Sequence, residues 1–78
     1  MMRYFFDIRD NGGLYPDEEG LEFATQREAE VEAVSSLAGL ARNLAPAAVR
    51  PDIAIEVRTV SGRVFQVAIV FETNNTKQ

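Results

Sequence analysis

The sequence predicts an α+β domain with the element order ββαββ, in which one helix lies on one face of a mainly antiparallel four-stranded sheet. Three observations lead to this fold class. Aromatic and aliphatic residues alternate with polar ones near the N-terminus, a capped apolar stripe with helical spacing follows, and two more alternating segments come after it. This order favours two hairpins with the helix between them.

The segment at residues 3–9 is typical of a half-buried strand. Tyr4, Phe6 and Ile8 fall on one side of such a strand, and the residues between them fall on the other. Aromatic and β-branched side chains suit a pleated surface of this kind. Asn11 and Gly12 come next, and this dipeptide predicts a tight hairpin turn because both residues tolerate a positive φ.

The second strand is predicted to be interrupted. It begins at residues 14–15, and Pro16 then removes a backbone donor, which restricts the segment to the edge of a sheet. Residues 17–20 indicate a turn or bulge. Leu21 and Phe23 then resume the strand, with their side chains facing the core.

A helix is predicted to begin after Thr25. Thr25 is a suitable N-cap, and Glu28, three residues later, completes a capping box. Pro46 predicts that the helix ends at or before residue 45, because the residue preceding a proline avoids the helical conformation. The apolar stripe expected to face the sheet consists of Ala29, Ala33, Val34, Leu37, Leu40, Ala41 and Leu44.

Two helix residues leave alternatives open. Glu30 falls near the middle of the apolar stripe, so it is either a buried carboxylate paired with Arg3 or Arg9, or a solvated group beyond the sheet edge. Gly39 lies in mid-helix, where glycine costs roughly 1 kcal/mol relative to alanine. With small neighbours on the outer face, it indicates either a close helix–helix contact in a dimer or simple tolerance of glycine in solvent.

The turn of the closing hairpin decides which side chains share a face. The strands are predicted at residues 53–60 and 64–71. A two-residue loop at positions 61–62 would put the two apolar rows on opposite faces, whereas a three-residue loop at positions 60–62, with a left-handed Gly62, unites them. Burial favours the second loop. The resulting register places Ile55 opposite Val67 and Val57 opposite Phe65.

Composition and charge exclude several classes of function. The chain has 78 residues, no Cys, no His and a net charge of −4. Disulfides, Cys or His metal sites, Ser-His-Asp triads and Cys-His pairs are therefore excluded. The acidic balance argues against a nucleic-acid partner, and no apolar run approaches the roughly 20 residues of a membrane span. We expect a cytoplasmic protein without cofactors, with one domain over residues 1–72 and a disordered tail over residues 73–78.

One acidic cluster has the residue types for chemistry. Asp17, Glu18, Glu19 and Glu22 surround the first connection. Paired carboxylates serve as general acid and base or hold a hard cation, so a carboxylate-based or cation-dependent enzyme is one interpretation. The other interpretation, which we favour, is an acidic turn in water, since charged residues are mostly exposed.

The face of the sheet away from the helix is the predicted partner-binding surface. One helix covers only one face, and a domain of this size without disulfides or metals commonly gains stability from a partner subunit. We expect a non-enzymatic interaction module that forms a homodimer, or binds another protein, through this face or an edge strand. The apolar residues expected on this face are Phe5, Ala54, Val64, Ala68 and Val70.

The sequence resembles a family of short bacterial proteins classed as a domain of unknown function. The resemblance rests on RYFFDIRD at residues 3–10, DEEGLEF at residues 17–23, an Ala- and Glu-rich helix at residues 27–41 and a Gly-containing hairpin at residues 59–64. It covers nearly the whole chain except the tail. It implies no established activity.

A looser similarity to HicB-like antitoxins rests on PDEEG at residues 16–20 and the capped helix that begins at residue 25. Those antitoxins neutralise a small basic toxin. The similarity therefore implies a second hypothesis, an antitoxin-like regulator that binds a small basic protein.

Overall fold

The computed structural model describes residues 1–44 and 52–70. It confirms the α+β class and the packing of one helix on an antiparallel sheet, but the sheet has five strands rather than four. The predicted end of the last strand at Phe71, the end of the domain at residue 72 and the tail at residues 73–78 lie outside the described residues. In chain order the elements are β1 (Met2–Asp10), β2 (Gly13–Tyr15), β3 (Leu21–Phe23), α1 (Gln26–Leu44), β4 (Ile53–Thr59) and β5 (Gly62–Ile69).

Strand β1 lies inside the sheet. β4 pairs with one side of β1, and β5 pairs with β4. β2 pairs with residues 8–10 of β1 and β3 pairs with residues 2–4. Between them, the Asp17 carboxylate accepts the backbone N–H of Phe6 at 3.1 Å, so β2 and β3 follow the same side of β1. The predicted interrupted strand is therefore two short strands in line, separated by residues 16–20.

The first hairpin turns at Asn11 and Gly12, as predicted, because Asp10 pairs with Gly13. The expected reason was wrong, however. The positive φ of 140° belongs to Gly13, and neither residue of the turn itself has a positive φ. The Gly12 N–H donates instead to Asp10 Oδ1 at 2.7 Å, a side-chain-to-backbone bond that Asp commonly makes in turns.

Thr25 caps α1 as predicted, since its Oγ1 accepts the N–H of Glu28 at 3.2 Å. The Glu28 carboxylate reaches back one residue further than in the standard capping box and accepts the N–H of Ala24 at 3.0 Å. Both bonds satisfy backbone donors at the start of the helix. Within the described residues α1 runs to Leu44, and the predicted helix end at or before residue 45 falls at the border of that range.

One stripe of α1 is buried against the sheet. Ala29, Ala33 and Leu37 are buried from the helix side. The prediction that Val34 belongs to this stripe was wrong, since its side chain is 57% exposed. Val34 lies about 100° around the helix from Ala33, so it points along the sheet rather than into it. The sheet contributes the buried residues Tyr4, Ile53, Ile55 and Val57.

The helix is displaced from β1 towards β4 and β5, which are its closest backbone neighbours. A groove of about 460 Å³ stays open along β1, with Phe6 and Ile8 on its floor and Leu40 on its helix side. Gly39 borders this groove rather than the outer face of the helix. The space beside Gly39 is open, because no heavy atom outside the helix backbone lies within 4 Å of a Cβ built there.

The predicted register of the closing hairpin is confirmed: residues 53–57 of β4 pair with residues 65–69 of β5, so both apolar rows face α1. The predicted loop was wrong, because Thr59 pairs with Gly62 and leaves two residues in the loop. Val64 is an extra residue in β5, and this β-bulge restores the register. Gly62 has the expected positive φ, at 123°.

Gly20 is the glycine that the fold requires most strictly. Its φ is +74°, and a Cβ at this position would lie 2.9 Å from the carbonyl oxygen of Tyr4. We expect Gly20→Ala to lower the free energy of unfolding by roughly 2 kcal/mol, because the left-handed conformation alone costs 1–2 kcal/mol for a residue with a Cβ. Urea denaturation measures the change.

Gly39→Ala is the matched control. It adds the same methyl group to open space within a helix, so we expect it to raise the free energy of unfolding by up to about 1 kcal/mol. Equal effects of the two substitutions would contradict the structure around Gly20.

Candidate functional site

Two acidic residues face each other at the centre of the open face, the side of the sheet away from α1. Asp7 in β1 lies directly opposite Glu56 in β4, and the two residues are 6% and 8% exposed. Opposed like charges destabilise a sheet unless cations neutralise them. Arg9, Arg58 and Arg63 supply these cations. We call these five residues the ionic network.

Glu56 connects three strands through its carboxylate. Arg9 Nε of β1 donates to Oε2 at 2.5 Å, and Arg63 Nη2 of β5 donates to Oε1 at 3.0 Å. The side chains of Arg9 and Arg63 are 50% and 60% exposed, so both guanidinium groups keep contact with water while the carboxylate is buried. The contacts therefore neutralise Glu56 without removing either arginine from solvent.

Asp7 holds the connection between β2 and β3 in place. Its Oδ2 accepts Arg58 Nε at 2.8 Å, and its Oδ1 accepts the backbone N–H of Asp17 at 2.8 Å. Arg58 Nη2 also donates to the carbonyl oxygen of Asp17 at 3.0 Å. Both backbone polar groups of Asp17 are thus bound to the Asp7–Arg58 pair, which fastens the loop to β1.

Phe5, one of the predicted partner-binding residues, is covered by the chain itself. The Arg58 guanidinium carbon lies 4.6 Å from the centre of the Phe5 ring, within the range of a cation–π contact. The ring is half-buried. Phe5 is therefore part of the surroundings of the ionic network rather than a free apolar side chain.

The other predicted partner-binding residues lie on or beside β5. Ala54 is half-buried in β4 and pairs with the exposed Ala68. Val64 and Val70 are 37% and 65% exposed. The ionic network lies between Phe5 and this group, so the five residues do not form one apolar patch. The structure brings four of them together as a strip that follows the last strand.

The outer side of β5 is a free edge. Among residues 1–44 and 52–70, β5 pairs only with β4. The Phe6 N–H bonds to Asp17 and so points away from β4, which makes Phe6 and Val57 a non-hydrogen-bonded pair. The backbone groups of Val57 therefore point to β5. Because this direction alternates along each strand, the backbone groups of Gln66 and Ala68 point away from β4. With respect to the described residues, the free edge therefore presents unpaired N–H and C=O groups along residues 64–70, a run that contains no charged residue.

The predicted acidic cluster does not converge on one point. The Asp17 carboxylate accepts the backbone N–H groups of Phe6, Glu19 and Gly20. The Glu22 carboxylate pairs with Arg3 at 3.0 Å. Within the described residues, no three acidic side chains are grouped closely enough to hold a metal ion.

The remaining two acidic residues of the cluster, Glu18 and Glu19, are exposed. Glu30, the acidic residue of the predicted apolar stripe, is half-buried and accepts a hydrogen bond from Gln26. The alternative of a buried pair with Arg3 or Arg9 is therefore wrong, because those arginines pair with Glu22 and Glu56.

Two carboxyl groups are held ionised by their hydrogen bonds. The bond from Arg9 keeps the pKa of Glu56 below its ordinary value of 4.5, against the opposing effect of burial, and Arg63 adds to the lowering. Burial raises the pKa of Asp17, but the three backbone N–H groups and the charge of Arg58 outweigh it and hold this pKa below 3.8.

Comparison with known proteins identifies the family. The model of a family described as a domain of unknown function (DUF6894) matches residues 3–70. The chain belongs to this family, which confirms the predicted membership of a domain-of-unknown-function family. No curated protein and no solved structure matches the chain. In the described part of the chain, no helix is both long and apolar enough to span a membrane.

The two lowered pKa values predict loss of stability in acid. As the pH falls, the carboxyl groups of Glu56 and Asp17 bind protons at a higher pH in the unfolded chain than in the folded protein. Their stabilisation is therefore complete above about pH 4.5 and is lost as the pH falls through the lower folded-state pKa values. We expect Glu56→Gln to reduce the slope of unfolding free energy against pH in this window. It should also lower stability at pH 7 by about 1–3 kcal/mol, because two arginines lose their charged partner.

Urea denaturation at several pH values between about 2.5 and 7 measures both effects. Glu18→Gln controls for the loss of one negative charge, since this residue is exposed. A slope for Glu56→Gln equal to that of the unmodified protein would contradict the assigned role of the carboxylate.

Proposed function

We propose that this protein is a non-enzymatic interaction module that self-associates by strand addition at the free edge of β5. The observation that carries the proposal is the combination of unpaired backbone groups and uncharged residues along positions 64–70. Proteins usually protect exposed edges with lysine, proline or very short strands. β5 has eight residues, and the run from Val64 to Val70 contains neither lysine nor proline.

The edge is favoured over the open face by the cost of desolvation. A partner that covered the ionic network would take water from Arg9 and Arg63, whose side chains are about half exposed. Removing charged groups from water is expensive even when they are paired. Strand addition at β5 instead satisfies main-chain donors and acceptors and leaves the ionic network wet.

Charge also favours this edge over the rest of the surface as the place where a second copy binds. The chain has a net charge of −4, so two copies repel one another over much of their surface. The free edge carries no charge between residues 64 and 70, and it can meet the same run of another copy without opposing like charges.

The antitoxin-like alternative is supported by the same acidity. Glu28, Glu30 and Glu32 lie in the first half of α1, and a small basic protein is the partner that such a helix would attract. A carboxylate-based enzyme has less support, because the carboxylates of Asp17 and Glu22 are engaged by the chain itself. The bacterial source and cytoplasmic location stay predictions.

Sedimentation equilibrium at high micromolar concentration tests the proposal, with a dimer as the expected result. We expect Ala68→Lys to weaken the dimer by at least about tenfold, because it places two charges at a paired edge. The substitution should not disturb the fold, since the Ala68 side chain is exposed.

Asn43→Lys is the control, because it adds the same charge at an exposed position near the end of α1, beside the groove along β1. Circular dichroism verifies that both variants keep their fold. A strictly monomeric protein, or equal dimerisation of the two variants, would contradict self-association at β5.

A further inference from the structure

The alternation of β5 limits how two copies can join at the free edge. The outward backbone groups belong to even-numbered residues of the run, including Gln66 and Ala68. An antiparallel ladder between two copies must therefore pair even-numbered residues with each other. Two registers with long overlap satisfy this condition, one centred on Gln66 and one centred on Val67.

The bulge distinguishes the two registers. It lies at Val64, where the pairing with β4 shifts by one residue. A ladder centred on Gln66 would extend past the bulge and place the charged Arg63 opposite Ile69. A ladder centred on Val67 ends at the bulge and uses only the uncharged run from residue 64 to residue 70.

The helix α1 carries a second surface on the side of the molecule where the free edge of β5 lies. Relative to Ala33 in the buried stripe, Gly39 lies about 120° to one side and Val34 about 100° to the other. The Gly39 side borders the groove along β1. The opposite side, with Glu30, Val34 and Ala41, therefore lies towards β5, and we call it the helix flank.

The helix flank carries an exposed apolar residue. Val34 is 57% exposed, and around the helix axis it lies within about 40° of Glu30 and Ala41. Paired strands lie about 4.8 Å apart, and α1 packs over β4 and β5. Two helices related by a two-fold axis at the free edge would then lie roughly 10 Å apart at closest approach, the distance of packed helices.

We infer that two copies join about a two-fold axis at Val67, forming one continuous sheet on which the two helix flanks pack against each other through Val34. This inference rests on the proposed self-association and specifies its geometry. In the assembly Val64 pairs with Val70 of the second copy, Phe65 with its Ile69, and Gln66 with its Ala68. The inner apolar rows of the two copies then form one core.

The absence of cysteine in the sequence permits a direct test of the axis. In the inferred ladder Val67 of one copy lies opposite Val67 of the second copy at a non-hydrogen-bonded position. The two Cα atoms there lie about 4.5 Å apart, within disulfide range. We expect Val67→Cys to form a covalent dimer on mild oxidation, much faster than Gln66→Cys. Ser61→Cys, in the exposed hairpin loop, gives the rate of random collision.

The helix flank is tested by a matched pair of valines. Val34 and Val31 are 57% and 58% exposed, but helical geometry places Val31 about 160° from the buried Ala33, on the side away from the sheet. We expect Val34→Lys to weaken the dimer on the order of tenfold, because the charge enters an apolar contact, and Val31→Lys to leave it unchanged. Sedimentation equilibrium measures both dissociation constants.

The outcomes separate this inference from the proposed function. If Ala68→Lys dissociates the dimer but Val67→Cys cross-links no faster than Ser61→Cys, β5 is the interface and the inferred axis is wrong. If the axis is supported but the two valine variants behave alike, the helix contact is wrong. If Ala68→Lys has no effect on the dimer, self-association at β5 itself fails.

Discussion

The opposition of two buried carboxylates, Asp7 and Glu56, is the constraint on which the rest of the structure depends. Pairing of their strands in the observed register is destabilised unless cations lie beside both groups. Arg58 meets this need for Asp7 and also binds the backbone of Asp17. One electrostatic requirement therefore determines the chemistry of the open face and fixes the path of the chain between β2 and β3.

The same requirement fills the centre of the open face with charged side chains. Phe5 would be the largest apolar group on the open face, but the Arg58 guanidinium lies over its ring. Exposed apolar side chains on this face remain at Leu14 in β2 and along β5, at Val64 and Val70. The charges in the middle of the sheet thus separate the exposed apolar residues of β5 from those of β2, and α1 lies over β4 and β5.

Sequence patterns predicted most of the fold because its elements have strong local signals. The alternation of Tyr4, Phe6 and Ile8 and the cap at Thr25 each correspond to a feature of the structure. The predicted register of β4 and β5 was also correct, because burial of both apolar rows permits only one choice. The means of reaching it, a bulge at Val64, has no local sequence signal.

The candidate site was harder to predict for a physical reason. Strand alternation indicates which face of the sheet a residue lies on, but an ion pair between strands requires the strand order as well as the face. The sequence does not show that β1 lies beside β4, which begins 43 residues after β1 ends. Similarly, the position of Val34 depended on where the helix lies across the sheet, which helical spacing alone does not specify.

The interruption between β2 and β3 has a consequence for the size of any assembly. Each of these strands has three residues, and Pro16 and the bound Asp17 lie between them. In the described part of the chain this side of the sheet offers no continuous run for another strand, while β5 does. A subunit with two adhesive sides would polymerise into open fibres. A subunit with one such side stops growing once a single neighbour is bound.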